Sequence, residues 1–351
     1  MGVQAPNRLA AAGAAAVLLA ACGSISAPDR HQPLAPAAAS ASDPTHSAGP
    51  GPRILAGMAY HEASQTVVLF GGQGATDYLN DTWTWNGQRW LQQHPAVSPP
   101  PRYGAGMVYD AATKTVVLFG GTGWITSYLI GPLSDTWTWN GATWTQQHPT
   151  VTPPARNGFG MAYDVTSGEV VLFGGDGGTR VPTFLNDTWV WNGINWSQRQ
   201  AVVSPAGRVE ASLAYDAVSN QLVLFGGANG MTLGDTWIWA GQTWTKRFPS
   251  RSPGPRYSAG SAYSSVNGKV LVFGGYDANS VRLDETWAWN GNTWSQLLVS
   301  SRPERRVLAS LSADGAGGVV LFGGSGERPK TVSNLLDDSW SWDGRSWRLA
   351  K

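Results

Sequence analysis

The sequence predicts an all-β fold, a propeller of six blades with four antiparallel strands each, and three observations carry that prediction. The 351 residues include 44 Gly and 22 Pro, and only 13% are charged, about half the share in a typical soluble domain. Nineteen residues are Trp. From Arg53 onward, one unit of about 50 residues recurs six times, which is typical of repeats that bury their apolar faces only against their neighbours.

The N-terminus is interpreted as a targeting signal. Residues 1–21 hold one basic residue, Arg8, before an apolar run that suits a signal-peptide core but is too short to span a bilayer. The run ends at Leu19-Ala20-Ala21-Cys22-Gly23, which resembles the lipobox of bacterial lipoproteins. That resemblance implies lipidation of Cys22 and an extracytoplasmic protein of the cell envelope, anchored to the membrane. The alternative is an ordinary secretory signal with an incidental cysteine.

The remaining chain divides into two parts. Residues 22–50 are rich in Ala, Ser and Pro without apolar periodicity, so we expect a disordered tether. Residues 51–351 hold the repeats and form the predicted propeller. The single cysteine excludes a disulfide framework, and a net charge of +1 without a basic run argues against nucleic-acid binding.

Each repeat carries the same aromatic signature. An apolar Leu/Val-Phe-Gly-Gly element precedes a Trp-x-Trp pair, and a third Trp follows seven residues after the first of the pair. Eighteen of the 19 tryptophans fit this pattern, which predicts that they pack within and between blades. Trp124 is the exception.

The order of elements within a unit predicts its four strands. In the second unit, small residues after Arg102 form the first strand, and the apolar run Val116–Phe119 forms a second strand buried on both faces. The third strand alternates, with Trp137 and Trp139 on one face. An Asn-Gly hairpin then leads to the fourth strand.

The full pattern, Arg…Phe-Gly-Gly…Asp-Thr-Trp-x-Trp-Asn-Gly…Trp, resembles the kelch repeat and covers residues 53–349. The resemblance implies a propeller, here with six blades. Kelch propellers often complete one blade with strands from both termini, but each unit here has its own four strands. Closure is therefore expected from packing between the first and last blades, or from a strand of the tether.

Length variation indicates which rim is functional. The spacing from the opening Arg to the Phe is constant at 17 residues, whereas the spacing from that Phe to the Trp pair ranges from 12 to 18. The variable part is the loop between the second and third strands, which predicts a recognition surface on that rim. We expect a ligand to contact Trp124 and Tyr128 in the second unit, and Arg180 and Phe184 in the third. The alternative for Trp124 is that it folds over the channel and plugs it.

The opening arginines allow two interpretations. They are expected either to hydrogen-bond carbonyls or acids of the scaffold, or to form a ring of guanidinium groups at the channel mouth that binds an anionic ligand. The arginines that open the six units are Arg53, Arg102, Arg156, Arg208, Arg256 and Arg305, and Arg306 is a second arginine in the last unit. Two residues further on, Leu55, Gly104, Gly158, Glu210, Ser258 and Val307 are predicted to share one level, where Glu210 is the only acid.

Three functions are compatible with these patterns. The leading one is a membrane-tethered binding module for a protein or glycan partner, without cofactor or metal. Because kelch propellers include sugar-processing enzymes, the resemblance also allows a sugar epimerase or mutarotase that uses Glu210 as a catalytic base. A copper-radical oxidase is excluded, since its Tyr–Cys cross-link needs a cysteine that this propeller lacks. The third possibility is a purely structural component of the envelope.

Overall fold

The computed structural model describes residues 49–327 and 334–350. The predicted signal peptide, Cys22 and nearly all of the predicted tether lie outside the described residues. Within the described part, all regular structure is β-strand, and the chain forms six four-stranded antiparallel sheets, which confirms the predicted fold class. No helix in this part is long and apolar enough to cross a membrane.

The six blades follow one another along the chain, and in each the strands neighbour one another in sequence order. The blade strands are β1 (Gly57–His61), β2 (Thr66–Gln73), β3 (Tyr78–Trp85) and β4 (Trp90–Gln93) in blade one; β6 (Gly106–Asp110), β7 (Thr115–Phe119), β10 (Thr136–Trp139) and β11 (Trp144–Gln147) in blade two; β12 (Gly160–Asp164), β13 (Glu169–Phe173), β14 (Thr188–Trp191) and β15 (Trp196–Arg199) in blade three; β16 (Ser212–Asp216), β17 (Gln221–Phe225), β18 (Thr236–Trp239) and β19 (Trp244–Arg247) in blade four; β20 (Gly260–Ser264), β21 (Lys269–Phe273), β22 (Thr286–Trp289) and β23 (Trp294–Leu297) in blade five; β25 (Ser310–Ala313), β26 (Val319–Phe322), β28 (Ser339–Trp342) and β29 (Trp347–Leu349) in blade six.

Five short strands lie outside the blades. They are β5 (Arg102–Tyr103), β8 (Thr122–Thr126) and β9 (Leu129–Pro132), which form one three-stranded ribbon, and β24 (Arg306–Val307) and β27 (Ser325–Gly326), which pair with each other. Two strands of the ribbon, β8 and β9, lie in the long loop of blade two, where the sequence predicted only a loop.

The core lies between adjacent blades. The apolar run of each second strand is buried, as Val116–Phe119 illustrates, because its side chains pack against neighbours on both faces of the sheet. The Phe at its end contacts the third Trp of the next blade, with the rings of Phe119 and Trp196 5.1 Å apart. Such ring pairs add to the free energy gained by burying the apolar area itself.

The third tryptophans also link the blades into a closed ring. Each donates its indole N–H to a hydroxyl on the third strand of the preceding blade: Trp144 to Thr82, Trp196 to Thr136, Trp244 to Thr188, Trp294 to Thr236, Trp347 to Thr286 and Trp90 to Ser339, at 2.8–3.0 Å. The last of these bonds joins blade one to blade six. The ring therefore closes by packing and hydrogen bonding between complete blades, which was the first of the two closures expected.

A second ring surrounds the channel. At one level, each blade places a residue in the left-handed region, and its N–H donates to the carbonyl of the equivalent residue in the preceding blade at 2.6–3.3 Å. The six residues are Leu55, Gly104, Gly158, Glu210, Ser258 and Leu308, here called the inner ring. Each of the six bonds joins one blade to the preceding blade through backbone groups. The inner ring therefore links the blades in addition to the side-chain core.

The inner ring corrects one detail of the sequence interpretation. In blade six its member is Leu308, not Val307, and the arginine in the repeated position is Arg306, not Arg305. The first strand of blade six is one residue shorter than the others, so constant counting from Phe322 selected the wrong arginine. Arg305 is exposed to solvent.

Candidate functional site at the channel mouth and variable rim

The opening arginines lie inside the scaffold. Arg102 is 1% exposed, and its guanidinium makes two parallel bonds with Asp135, at 2.6 Å and 2.7 Å. It also donates to the carbonyls of Gly120 at 3.0 Å and Pro100 at 3.1 Å. The equivalent ion pairs are Arg53–Asp81, Arg156–Asp187, Arg208–Asp235, Arg256–Glu285 and Arg306–Asp338.

Pairing with arginine lowers the pKa of several of these carboxyl groups. Burial raises the pKa of Asp135, but hydrogen bonds from Arg102 and the positive charge of that residue outweigh it, helped by the Trp137 indole N–H at 2.7 Å. The net result is a pKa below the ordinary value, and the same balance lowers the pKa of Asp187, Asp235 and Asp338. The acid before each Trp pair is thus the partner of the arginine that opens the same repeat.

The interpretation of a guanidinium ring open to the channel is therefore corrected. The side chains of Arg102, Arg156, Arg208 and Arg256 are at most 2% exposed, and their donors are engaged within their own blades. A ligand could reach them only by breaking a buried ion pair. We remove these four, together with the misassigned Arg305, from the candidate binding residues.

An opening lies over the channel on the variable rim. It is a cavity of about 260 Å³ bounded by the inner ring below and by loops of blades two, three and five. Its lining includes Tyr103, Asn157, Tyr257 and Tyr276 from residues adjacent to the repeated Arg and Gly-Gly positions. Narrower cavities of about 150 and 170 Å³ continue along the channel below it.

Trp124 is absent from the channel lining. The lower channel is lined by side chains such as Met58, Met107 and Met161, and by Leu213 and Leu311. The inner-strand glycines make room for them: a Cβ on Gly57 would lie 2.5 Å from the sulfur of Met107. The alternative that Trp124 plugs the channel is therefore wrong.

Glu210 faces this cavity from the inner ring. It is partly buried, and its Oε2 accepts a hydrogen bond from the hydroxyl of Ser258, the next member of the ring. Burial raises the pKa of the Glu210 carboxyl, and the bond from Ser258 opposes this only in part. Among the described residues, Glu210 has no ion-pair partner.

The sequence did not predict the aromatic residues that line the cavity beside Glu210. Tyr257 and Tyr276 pair across blade five with ring centroids 5.4 Å apart, and both line the cavity with Phe184. The signal in the sequence was a change of residue type at two equivalent positions of the repeat. The residue after each opening Arg and the residue after each Gly-Gly pair form a bridge at the cavity, yet their identities change from blade to blade.

The long loop of blade two forms an exposed apolar hairpin, β8–β9. Trp124 is 50% exposed and Tyr128, at the turn, is 86% exposed, with Ile125 and Leu129 also exposed. The base of the hairpin is anchored, because Ile130 lines the cavity and Gly131 lies against Thr179 of the blade-three loop. The predicted residues thus separate: Arg180 and Phe184 line the cavity, whereas Trp124 and Tyr128 project from the rim beside it.

The enzymatic alternative needed a second acid/base group near Glu210. Asp176 also lines the cavity, but its Oδ1 accepts backbone N–H bonds from Gly178 at 2.9 Å and Thr183 at 2.7 Å, and so shapes its own loop. None of the histidines that the structure describes lines the cavity. Within residues 49–327 and 334–350, no cluster of three metal-ligating side chains is present. The epimerase or mutarotase interpretation stays a prediction without a structural counterpart.

Comparison with protein-family models agrees with the repeats. Residues 87–247 match the KLHDC2/KLHL20/DRC7 Kelch-repeats domain, and residues 258–297 match the Kelch motif. No curated protein matches the chain. The protein therefore carries kelch repeats, which are generally protein-interaction modules.

Proposed function

We propose that this kelch-repeat propeller is a membrane-tethered, extracytoplasmic module that binds a protein partner on its variable rim. The observation that carries the proposal is the β8–β9 hairpin, whose tip exposes Trp124, Ile125, Tyr128 and Leu129 together. Several large exposed apolar side chains within one short hairpin are typical of an interaction site.

The hairpin also has the composition of a binding hot spot. Trp and Tyr supply large contact areas at low conformational cost, and both occur at its tip. Since the base of the hairpin is held by strand pairing with β5 and by the blade-three loop, the tip is presented in a defined orientation. A preorganised surface loses less entropy on binding than a mobile loop would.

Site-specific photo-crosslinking tests this proposal in cells. A benzoylphenylalanine residue at position 128 should give covalent adducts with a protein partner on illumination. The matched control is the same probe at Val218, which is 65% exposed on the opposite rim, in the turn between β16 and β17. Adducts that form equally from both positions, or only from Val218, would refute the variable rim as the binding surface.

Trp124→Ala measures how much the hairpin contributes. We expect it to weaken binding of the cross-linked partner by about 2 kcal/mol, as for an interface hot spot. The free energy of unfolding should change by no more than about 0.5 kcal/mol, because the side chain is half exposed. Loss of stability with unchanged affinity would instead indicate a structural role.

The tether is tested separately through Cys22, the only cysteine of the chain. If Cys22 carries the lipid, Cys22→Ala should abolish incorporation of a clickable fatty acid and move the protein out of the membrane fraction. Ala21→Ser, beside the cysteine, serves as the control for a general defect in export. Undiminished labelling of the Cys22→Ala variant would show that this residue is not the anchor.

A further inference from the structure

The Glu210 carboxylate at the channel mouth has no arginine partner, unlike the acids that precede the Trp pairs. The six acids that precede the Trp pairs each bind a buried arginine at 2.6–2.7 Å. Other buried acids, such as Asp110 and Asp216, accept two hydrogen bonds each in tight turns. Glu210 instead accepts a single bond from Ser258, and its side chain borders both the large cavity and the channel below.

The surroundings of Glu210 suit an apolar body bearing a positive charge. Tyr257 and Tyr276 present aromatic surface to the cavity, and Phe184, Ile130 and Leu308 contribute further apolar area. The volume of about 260 Å³ is that of a small-molecule site, not of a groove for a folded partner. Aromatic rings favour a nearby cation through their quadrupoles, beyond the effect of the carboxylate.

We propose that this cavity binds a small organic ammonium ion, whose charged nitrogen pairs with the Glu210 carboxylate while its apolar part packs against Tyr257, Tyr276 and Phe184. The ligand would supply the counter-ion that an arginine provides for each of the six acids before the Trp pairs. This site is distinct from the exposed tip of the hairpin, and its existence does not depend on a protein partner there.

Other charged groups at the cavity also determine whether a cation is favoured there. Arg180 lines the outer part of the cavity and is exposed, so solvent and salt screen its charge far more than that of Glu210. Asp176 is on the same loop and adds negative charge. Burial raises the pKa of Tyr257, so its hydroxyl adds no negative charge at physiological pH. The guanidinium carbon of Arg282 lies 5.4 Å from the ring centroid of Tyr276, but Arg282 does not line the cavity. The acids of the lining are Glu210 and Asp176, so a cation is favoured beside Glu210, against Tyr257 and Phe184.

Three probes with similar bodies distinguish the possible ligand classes: 2-phenylethylammonium, 2-phenylethanol and 3-phenylpropanoate. Binding to the full chain, purified in detergent, would be measured by calorimetry at pH 8. We expect the ammonium to bind at least about tenfold more tightly than the alcohol, because it adds a charge-assisted hydrogen bond. The carboxylate should bind most weakly.

Glu210→Gln keeps the shape and the bond with Ser258 but removes the charge. It should lower the affinity for the ammonium at least about tenfold and leave that for the alcohol nearly unchanged. Glu62→Gln is the matched control, since Glu62 is an exposed acid on the opposite rim. Arg180→Gln should strengthen ammonium binding slightly by removing a competing positive charge. Circular dichroism establishes that each variant is folded.

The pH dependence gives an independent measure. Since the ionised carboxylate is required, ammonium affinity should fall as the pH drops through the raised pKa of Glu210, and binding near that pKa should release a proton. Glu210→Gln should abolish both effects.

Several outcomes would overturn the proposal. Tightest binding of 3-phenylpropanoate would identify an anion site built on Arg180. Equal binding of all three probes would show an apolar site without charge recognition, and absence of binding of any probe at millimolar concentration would also refute it. If a lysine-containing peptide bound through Glu210 while 2-phenylethylammonium did not, the site would belong to a protein partner instead. None of these results affects the cross-linking test at Tyr128.

Discussion

Two acids of the same repeat show how the scaffold differs from the site. Asp235 and Glu210 both belong to the fourth repeat, and both lose part of their solvation on folding. Arg208 binds Asp235 at 2.6 Å, so the pKa of Asp235 is low despite burial. Glu210, two residues from Arg208 in sequence, has no such partner, so burial raises its pKa. Equivalents of Asp235 occur in all six blades, whereas Glu210 is unique.

The comparison separates stability from recognition. The buried ion pair between an arginine and an acid is present in every repeat and belongs to the common architecture. Removal of one member leaves the charge of the other buried without a partner. A buried charge that one repeat leaves open costs free energy of folding, which a bound ligand can offset. Three substitutions test this contrast, in order of decreasing expected effect on stability.

Arg156→Met should produce the largest loss. Arg156 is completely buried, and its removal leaves Asp187 without its cation, at a cost of about 3–5 kcal/mol. Urea denaturation at pH 7 measures the loss. Arg180→Met in the neighbouring loop is the control, since Arg180 is exposed. Equal effects from both substitutions would mean that the buried pair is no more important than a surface arginine.

Thr136→Val should have an intermediate effect. It preserves the shape of the side chain but removes the acceptor for the Trp196 indole N–H, a bond of 3.0 Å between blades two and three. Leaving a buried donor unsatisfied costs about 1–3 kcal/mol. Thermal denaturation would detect it, with Thr145→Val on the exposed fourth strand as control. Unchanged stability would show that packing alone holds the blades together.

Glu210→Gln should have the smallest effect, and of the opposite sign. With a raised pKa, folded Glu210 retains a proton that the unfolded chain releases, so its contribution to stability falls as pH rises from the ordinary carboxyl pKa to the raised one. Gln has no proton to lose. The variant should therefore be more stable than the native protein at pH 8, and the difference should shrink at pH 4.

Urea denaturation at the two pH values checks this. Asp235→Asn is the contrasting variant: its carboxylate has a lowered pKa and contributes stability above the ordinary carboxyl pKa, so its loss should be destabilising at pH 8. If Glu210→Gln were also destabilising at pH 8, Glu210 would be a scaffold residue like Asp235.

The periodic features were predictable because each was repeated six times. The Trp pattern, the two-residue alternation of the third strands and the Asn-Gly turns predicted the blades. What counting along the chain could not provide was the alignment in blade six. There the shortened first strand moves the structural role from Arg305 to Arg306.

The sequence by itself determined the number of blades, their order and the rim on which loops vary, because these follow from local periodicity and antiparallel connection. Only the tertiary structure decided where the side chains at the channel mouth point. The arginines turn into their own blades because carbonyls and a carboxylate converge there, which leaves Glu210 without a cation. Tyr257 and Phe184 meet beside it although they are far apart in sequence, since ring closure brings blades three and five to one cavity.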